Sequence, residues 1–233
     1  AFNAGDVDVF TRDGSYVAHP PLGKWMIALG LRVFGAEDTV GWRISTAIVG
    51  VLAVFLLVII ARRLFNSTLL ATIAGGLFAI DGHAIVMSRT ALLDNFLMIF
   101  TLLGFGAILL DRAQSAGRLS LWLAHRANTG RGTDWGPAIW CRPWLLAGGI
   151  LFGAATAVKW SGLYFLAAFA IYSLVVDAMA RRAAGIPFFI SGTIFRQAPV
   201  TFLLTIPLAL ATYLTSWTGW FVTRDGYFRN WAE

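Results

Sequence analysis

The sequence predicts an all-α, polytopic membrane protein. Hydrophobic residues make up 58% of the 233 residues and charged residues only 13%. Soluble domains average about 45–50% apolar and about 25% charged. The mean hydropathy is +0.72, and the apolar residues collect in runs of helix-spanning length rather than in strand-like alternation. These observations exclude an ordinary soluble globule. They also exclude a disordered chain, which needs low hydrophobicity.

The elements follow in order. Residues 20–35 (PPLGKWMIALGLRVFG) carry Lys24 and Arg32 around a short apolar core, which suits an amphipathic helix at the membrane interface. Six spans are expected at about 44–61, 66–82, 93–110, 144–158, 160–177 and 199–216. The first and last of these reach spanning length cleanly. The run 144–158 is short, and Lys159 interrupts the apolar stretch from 144 to 177, so two helices joined by a turn at Lys159–Gly162 are expected. Pro207 is expected to kink the last helix rather than end it. Between the third and fourth spans, RLSLWLAHR (118–126) reads as a short basic amphipathic helix. No repeat of 20–50 residues is present.

Charge gives the sidedness. The formal net charge is +6. In a soluble chain that would suggest nucleic acid, but in a membrane chain its placement matters more. With 20–35 not crossing, the loops Arg62–Ser67, Asp111–Pro143 and Asp177–Ala198 hold ten Arg/Lys and three acids. The remaining polar segments hold eight basic and nine acidic residues. The positive-inside rule makes the first set cytoplasmic and puts both ends of the chain outside. All ten Trp lie at or beyond the ends of the expected spans, as in an interfacial aromatic belt. Cys141 is the single cysteine, so an internal disulfide is impossible. Lys24 and Lys159 are the only lysines among 18 basic residues, an arginine bias that suggests a GC-rich bacterial source.

Four polar clusters crowd the outer ends: His19–Lys24, Asp81–Asp94, Lys159–Gly162 and Ser216–Phe221. Ionisable groups at membrane-helix ends are functional candidates, although each alone also suits an anchor. Arg32, Arg43 and Arg224 read as anchors. Asn66-Ser67-Thr68 matches a glycosylation sequon on the side assigned inside. His19, His83 and His125 make no metal-ligand spacing. Pro20 and Pro21 fix the backbone ahead of a helix whose first turn carries Lys24. Arg89 and Asp94 are five residues apart, off the favoured helix spacings. Convergence is therefore expected through a loop-to-helix transition, with Asp94 in a first turn where the helix dipole favours an acid. Cations at this depth suit a lipid-linked sugar phosphate, whose phosphate sits at the headgroups and gains charge as it leaves. A carboxylate base is needed to activate the acceptor hydroxyl.

YVAHPPLGKWMIALG, GWRISTAIVGVL, SRTALLDNFLMIF, AVKWSGLYFL and SWTGWF, in this order, resemble the protein O-mannosyltransferase family of the GT-C class, nearest its actinobacterial branch. The resemblance covers about residues 1–230. It implies a multi-span bundle that takes mannose from a polyprenyl- or dolichyl-phosphate donor. Transfer would invert the anomeric carbon, without a tightly bound cofactor or metal, and mannosylate Ser/Thr of exported proteins outside the plasma membrane. The donor, the acceptor polypeptides and the secretion translocon are the implied partners, with no nucleic acid. His19, Pro20, Pro21, Gly23 and Lys24 match the first motif. Arg89 and Asp94 match the second, where the arginine handles donor phosphate, and Lys159 and Trp160 match a third. The family's catalytic Asp-Glu pair lies upstream of HPPLGK, and Asp6, Asp8 and Asp13 stand in the wrong context for it. On this reading residues 1–233 are a single membrane domain, an internal piece of a longer enzyme, with the base before Ala1 and Asp94 in support. An arabinosyl- or aminoarabinosyl-transferase of the same class is the nearest rival. A transporter or a non-catalytic subunit is the rival from another class.

Overall fold

A computed structural model describes residues 19–35 and 37–222. The readings of Asp6, Asp8, Asp13, Arg224 and Trp231 fall outside these residues. Every described element is a helix: α1 (Leu22–Phe34), α2 (Thr39–Phe65), α3 (Thr68–Ile80), α4 (Gly82–Arg89), α5 (Leu93–Thr129), α6 (Pro143–Val158), α7 (Gly162–Ala183), α8 (Phe189–Gly192), a π-helical turn (Thr193–Gln197), α9 (Ala198–Ser216) and α10 (Thr218–Val222). Among the described residues, four helical stretches are long and apolar enough to cross a membrane: α2, α5, α7 and the continuous Phe189–Ser216. The pair α3–α4, bent by 60°, would make a fifth. The run 144–158 becomes α6, whose 16 residues rise about 24 Å, short of a hydrocarbon core of about 30 Å. Pro207 lies inside α9, which continues through it. Large apolar side chains such as Phe55, Leu77, Ile171 and Phe202 are exposed, which suits lipid and not water.

One sequence expectation needs correction. Residues 118–126 do not form a separate helix, because α5 runs unbroken for 37 residues from Leu93 to Thr129. Its rise is about 55 Å, well beyond the bilayer core. The stretch after Leu110 is polar but rich in Ala, Leu and Arg and free of proline; Gly117 is its poorest helix former, and polarity alone does not end the helix. Asp81, placed by sequence in a polar cluster of candidate function, starts a helix. It is the N-cap of α4, and its carboxylate accepts from Ala84 N at 2.8 Å. The sequon residues likewise form a turn. Asn66 caps α2 in the left-handed region at φ 49°, and the Ser67 hydroxyl accepts from Leu70 N to start α3.

The chain divides into two compact units. The first contains residues 19–102, 154–162 and 212–222, and the second contains residues 103–153 and 163–211. Glycines set the helix spacing in the first unit. A Cβ on Gly30 would stand 2.3 Å from the Gly41 carbonyl oxygen, and one on Gly75 would stand 2.2 Å from Val58. Close approach over small residues is the usual way membrane helices gain packing contact. In the second unit, Gly149 and Gly153 face the backbone of Thr205 and Ala209, so α6 presents a GxxxG face to α9. Ile108, Leu145, Phe152, Leu166 and Ala209 form its core. Phe152 stacks on Phe169, with ring centroids 5.2 Å apart.

The second unit also holds a buried ionic cluster. Arg142, just ahead of α6, is 2% exposed and bonds both carboxylates of its surroundings. Its Nε donates to both Asp111 oxygens at 3.1 Å and its Nη2 also bonds Asp111. Nη1 donates to Asp177 at 2.6 Å and Nη2 to the Ser173 hydroxyl at 3.3 Å. Burial by itself would pull the guanidinium pKa down, but hydrogen bonds to the two carboxylates and their charge hold it above the ordinary value. Beside it, Arg181 donates to the carbonyls of Trp135 and Pro137 and to Gln197. Arg196 donates to the Gly136 carbonyl at 3.0 Å, and Gln197 accepts from Ile139 N at 2.9 Å. Both residues belong to the π-helical turn, which thus fastens the 134–139 loop.

Replacing Arg142 by Met leaves two buried carboxylates uncompensated. We expect a loss of about 3–5 kcal/mol, seen as a lowered thermal midpoint in detergent. Combining it with Asp111→Leu and Asp177→Leu is expected to restore most of that loss, since a well-packed apolar set can replace a buried ionic one.

Candidate functional site

All four polar clusters read from the sequence lie in the first unit. In the first of them, Pro20 and Pro21 are buried, Pro21 precedes α1 as its N-cap, and its carbonyl accepts from Trp25 N at 3.0 Å. Proline suits a helix start, where a donor would be unused. His19 is half-buried just ahead of them, and Lys24 stands exposed on the first turn of α1. Partial burial nevertheless holds the Lys24 ammonium below the ordinary lysine pKa.

Gly23 explains how this turn is seated. A Cβ there would lie 2.7 Å from the Leu93 side chain and 3.1 Å from that of Val158. Leu93 precedes Asp94, and Val158 precedes Lys159. The glycine between Pro21 and Lys24 therefore packs against the two residues that introduce the other motifs. Asp94 and Lys159 meet there: Lys159 Nζ donates to Asp94 Oδ1 at 2.7 Å. Sequence motifs separated by 65 residues thus close into one ion pair. Both side chains are partly exposed, at 33% and 42%, so the pair contributes modestly to stability.

Arg89 and Asp94 are placed differently from the expected pair. Asp94 does sit in the first turn of α5, after the turn Thr90–Ala91 that separates it from α4. Its partner, however, is Lys159. Arg89 ends α4, exposed and with no ion-pair partner among the described residues. The sequence could show that five residues miss a helix face. It could not show that a turn 65 residues later would supply the cation. Trp160, largely exposed, donates its indole N–H to the Tyr213 hydroxyl at 3.1 Å, which brings in the segment leading to SWTGWF.

Asn95 was not singled out from the sequence, yet it anchors the site. It is 2% exposed, and its Nδ2 donates to the Thr46 carbonyl of α2 at 2.9 Å. This bond ties the first turn of α5, and so Asp94, to α2. Its signal was a polar residue inside an otherwise apolar run, which is expensive in a membrane unless it is bonded. Asn95 Oδ1 and the Ser161 hydroxyl are buried without a hydrogen-bond partner. Each is adjacent in sequence to a motif residue. Ser88, next to Arg89, packs on Gly50, where a Cβ would stand 2.2 Å from its hydroxyl. Among the described residues, no three His, Cys, Asp or Glu side chains group as metal ligands.

The site is therefore a seat where Gly23 packs on Leu93 and Val158, Lys159 pairs with Asp94, and Lys24 has no ion-pair partner among the described residues; Arg89 stands four residues before Leu93, at the end of α4. The family model described as dolichyl-phosphate-mannose-protein mannosyltransferase matches residues 18–135, which include the first two of these motifs. The chain belongs to this family. Polyprenol-phosphate-mannose–protein mannosyltransferases are among its relatives. That of Mycolicibacterium smegmatis is 41% identical over 216 residues, covering 91% of this chain and 41% of the relative. That of Mycobacterium tuberculosis is 40% identical over 215 residues, covering 92% and 40%. An undecaprenyl phosphate-alpha-4-amino-4-deoxy-L-arabinose arabinosyl transferase of Pseudomonas aeruginosa is 33% identical over 135 residues, covering 57% of this chain and 24% of the relative. The chain thus spans about two fifths of the length of its mannosyltransferase relatives. No solved structure matches it.

Burial separates the two kinds of polar contact here. We expect Asn95→Ala to cost roughly 1–3 kcal/mol, because it removes a buried hydrogen bond between helices. Lys159→Gln should cost only about 0–1 kcal/mol. Thermal unfolding of the two variants in detergent, side by side, checks the difference.

Proposed function

We propose that this chain is part of a mannosyltransferase of the bacterial plasma membrane. It would transfer mannose from a polyprenyl- or dolichyl-phosphate donor to Ser/Thr hydroxyls of exported polypeptides as they leave the secretion translocon. The observation that carries the proposal is the seating of Gly23 on Leu93 and Val158, which gathers the three motifs around Lys24, Asp94 and Lys159. The relatives' names supply the donor class. The basic loops of the opposite set support an outer active face by the positive-inside rule.

In this reading Lys24 and Arg89, aided by His19, hold the donor phosphate. Arg offers a planar fork of donors, and Lys a point charge. The acceptor oxygen attacks the anomeric carbon from the face opposite the phosphate, so the configuration inverts. The carbon–oxygen bond to phosphate breaks, and its electron pair stays on the phosphate. Preorganised cations stabilise the charge that develops there. The proton of the acceptor hydroxyl goes to a carboxylate base. Asp94 suits that role poorly, because its carboxylate is already engaged by the Lys159 ammonium at 2.7 Å. It acts instead through Lys159, whose charge it orients, and the base is another carboxylate of the intact enzyme. No resident cofactor or metal is invoked in this scheme.

The test uses the intact protein, polyprenol-phosphate-mannose and a Ser/Thr acceptor peptide. Lys24→Ala and Arg89→Ala should each lower kcat/KM by about 10²-fold or more. Asp94→Ala and Lys159→Ala should each lower it, and the double variant should do little worse than either, since the two act as one unit. Full activity of the Lys24/Arg89 double variant overturns the phosphate clamp. The similarity to the arabinosyl transferase motivates a second arm: offering a lipid-phosphate aminoarabinose donor in place of the mannose donor. Faster transfer from that donor replaces the mannose reading.

A further inference from the structure

The second unit contains a cavity of about 530 Å³ that the proposed transfer does not use. One wall is α5 beyond its apolar run, with Arg112, Ser115 and Leu119. The facing wall is the end of α7, with Tyr172, Val176 and Met179. The apolar runs of both helices stop beside it, α5 at Leu110 before Asp111 and α7 at Val176 before Asp177. A cavity at that level straddles the boundary between hydrocarbon and headgroups. Its lining is mainly apolar, with a few polar groups, as in sites for amphiphilic ligands.

Charge decides what would fill it. Asp177 lines the cavity, but its carboxylate is taken by Arg142. Arg181 lines it too, although its hydrogen bonds go to the Trp135 and Pro137 carbonyls and Gln197, all neutral acceptors, so its positive charge has no direct ion-pair partner among the described residues. Arg112 is exposed and has no ion-pair partner among the described residues. The Ser115 hydroxyl is buried, 5% exposed as a residue, and without a hydrogen-bond partner. An unpartnered hydroxyl in a buried wall beside two arginines is a ready donor to an anion. Tyr172 and Val176, on the apolar-run side of these groups along α7, accept a hydrocarbon chain.

We propose that this cavity binds an anionic phospholipid, with its phosphate between Arg112, Arg181 and Ser115 and one acyl chain along Tyr172 and Val176, toward the apolar runs of α5 and α7. Basic pockets between membrane helices take lipid headgroups for the same physical reason. The site is separate from the donor site proposed above and does not depend on that reading.

The test is native mass spectrometry of the intact protein, released from vesicles containing equal phosphatidylglycerol and phosphatidylcholine. One phosphatidylglycerol per chain should be retained in preference to phosphatidylcholine. Arg112→Gln, an exposed change that leaves the Arg142 and Arg181 networks untouched, should lower retention about tenfold, the loss of one charge-assisted hydrogen bond. Ser115→Leu should also lower it by filling the cavity. Inorganic phosphate at millimolar concentration should fail to displace the lipid, because it lacks the acyl chain. Equal retention of both lipids, no effect of Arg112→Gln, or full displacement by phosphate overturns the proposal.

Discussion

A guanidinium between two carboxylates fixes the framework of the second unit. Arg142 reaches Asp111 on α5 and Asp177 and Ser173 on α7 while standing at the start of α6. Three helices are therefore held in register at the depth where each exchanges apolar for polar sequence. Unpaired, any of these charges would be too costly to bury. Together they satisfy one another, and the neighbouring Arg181 and Gln197 then tie down the 134–139 loop. The GxxxG contact of α6 with α9 and the aromatic core around Phe152 pack within this frame.

The first unit is held by other means. Its helices meet over glycines, and its polar chemistry stays near the surface. Of its contacts, the Asn95–Thr46 bond is buried and structural, whereas the Lys159–Asp94 pair is half-exposed. That contrast suits a site that must admit a charged ligand. A pair fully buried in protein would be rigid but closed, and one in bulk water would be screened and weak. Lys24 and Arg89 are both exposed, and both lie near helix termini whose positions the packing fixes.

Much of the fold was legible in the sequence because lipid imposes a simple rule. Spanning segments must be helical and apolar, so the runs beginning near 44, 93, 160 and 199 announce themselves. The extent of α5 was not legible. Hydropathy reports where lipid ends, and a helix can continue in water where no proline breaks it and the good helix formers of Asp111–Thr129 outweigh a single Gly117. The site was legible as motifs but not as geometry. His19–Lys24, Arg89, Asp94 and Lys159 stood out because charge and proline are rare in this chain. Only Asp94 and Lys159 pair, and the contact that seats the first motif beside them, Gly23 on Leu93 and Val158, carries no charge at all. The buried ionic cluster escaped for a related reason. Asp111, Arg142 and Asp177 entered the sidedness count as ordinary loop charges, and only the folded chain shows that they neutralise one another.

The short turn at Asn66–Ser67 bears on how the chain enters a membrane. α3 has 13 residues, a rise of about 20 Å, too little to partition across a bilayer alone. It is joined to α2, the longest uninterrupted apolar helix of its unit, by a left-handed asparagine and a serine cap with no residue to spare. α2 and α3 are thereby tied into a hairpin of one long, strongly apolar arm and one short arm. Lengthening that turn would uncouple the two arms and leave α3, with the bend and Arg89 that follow it, stranded at the surface during biogenesis.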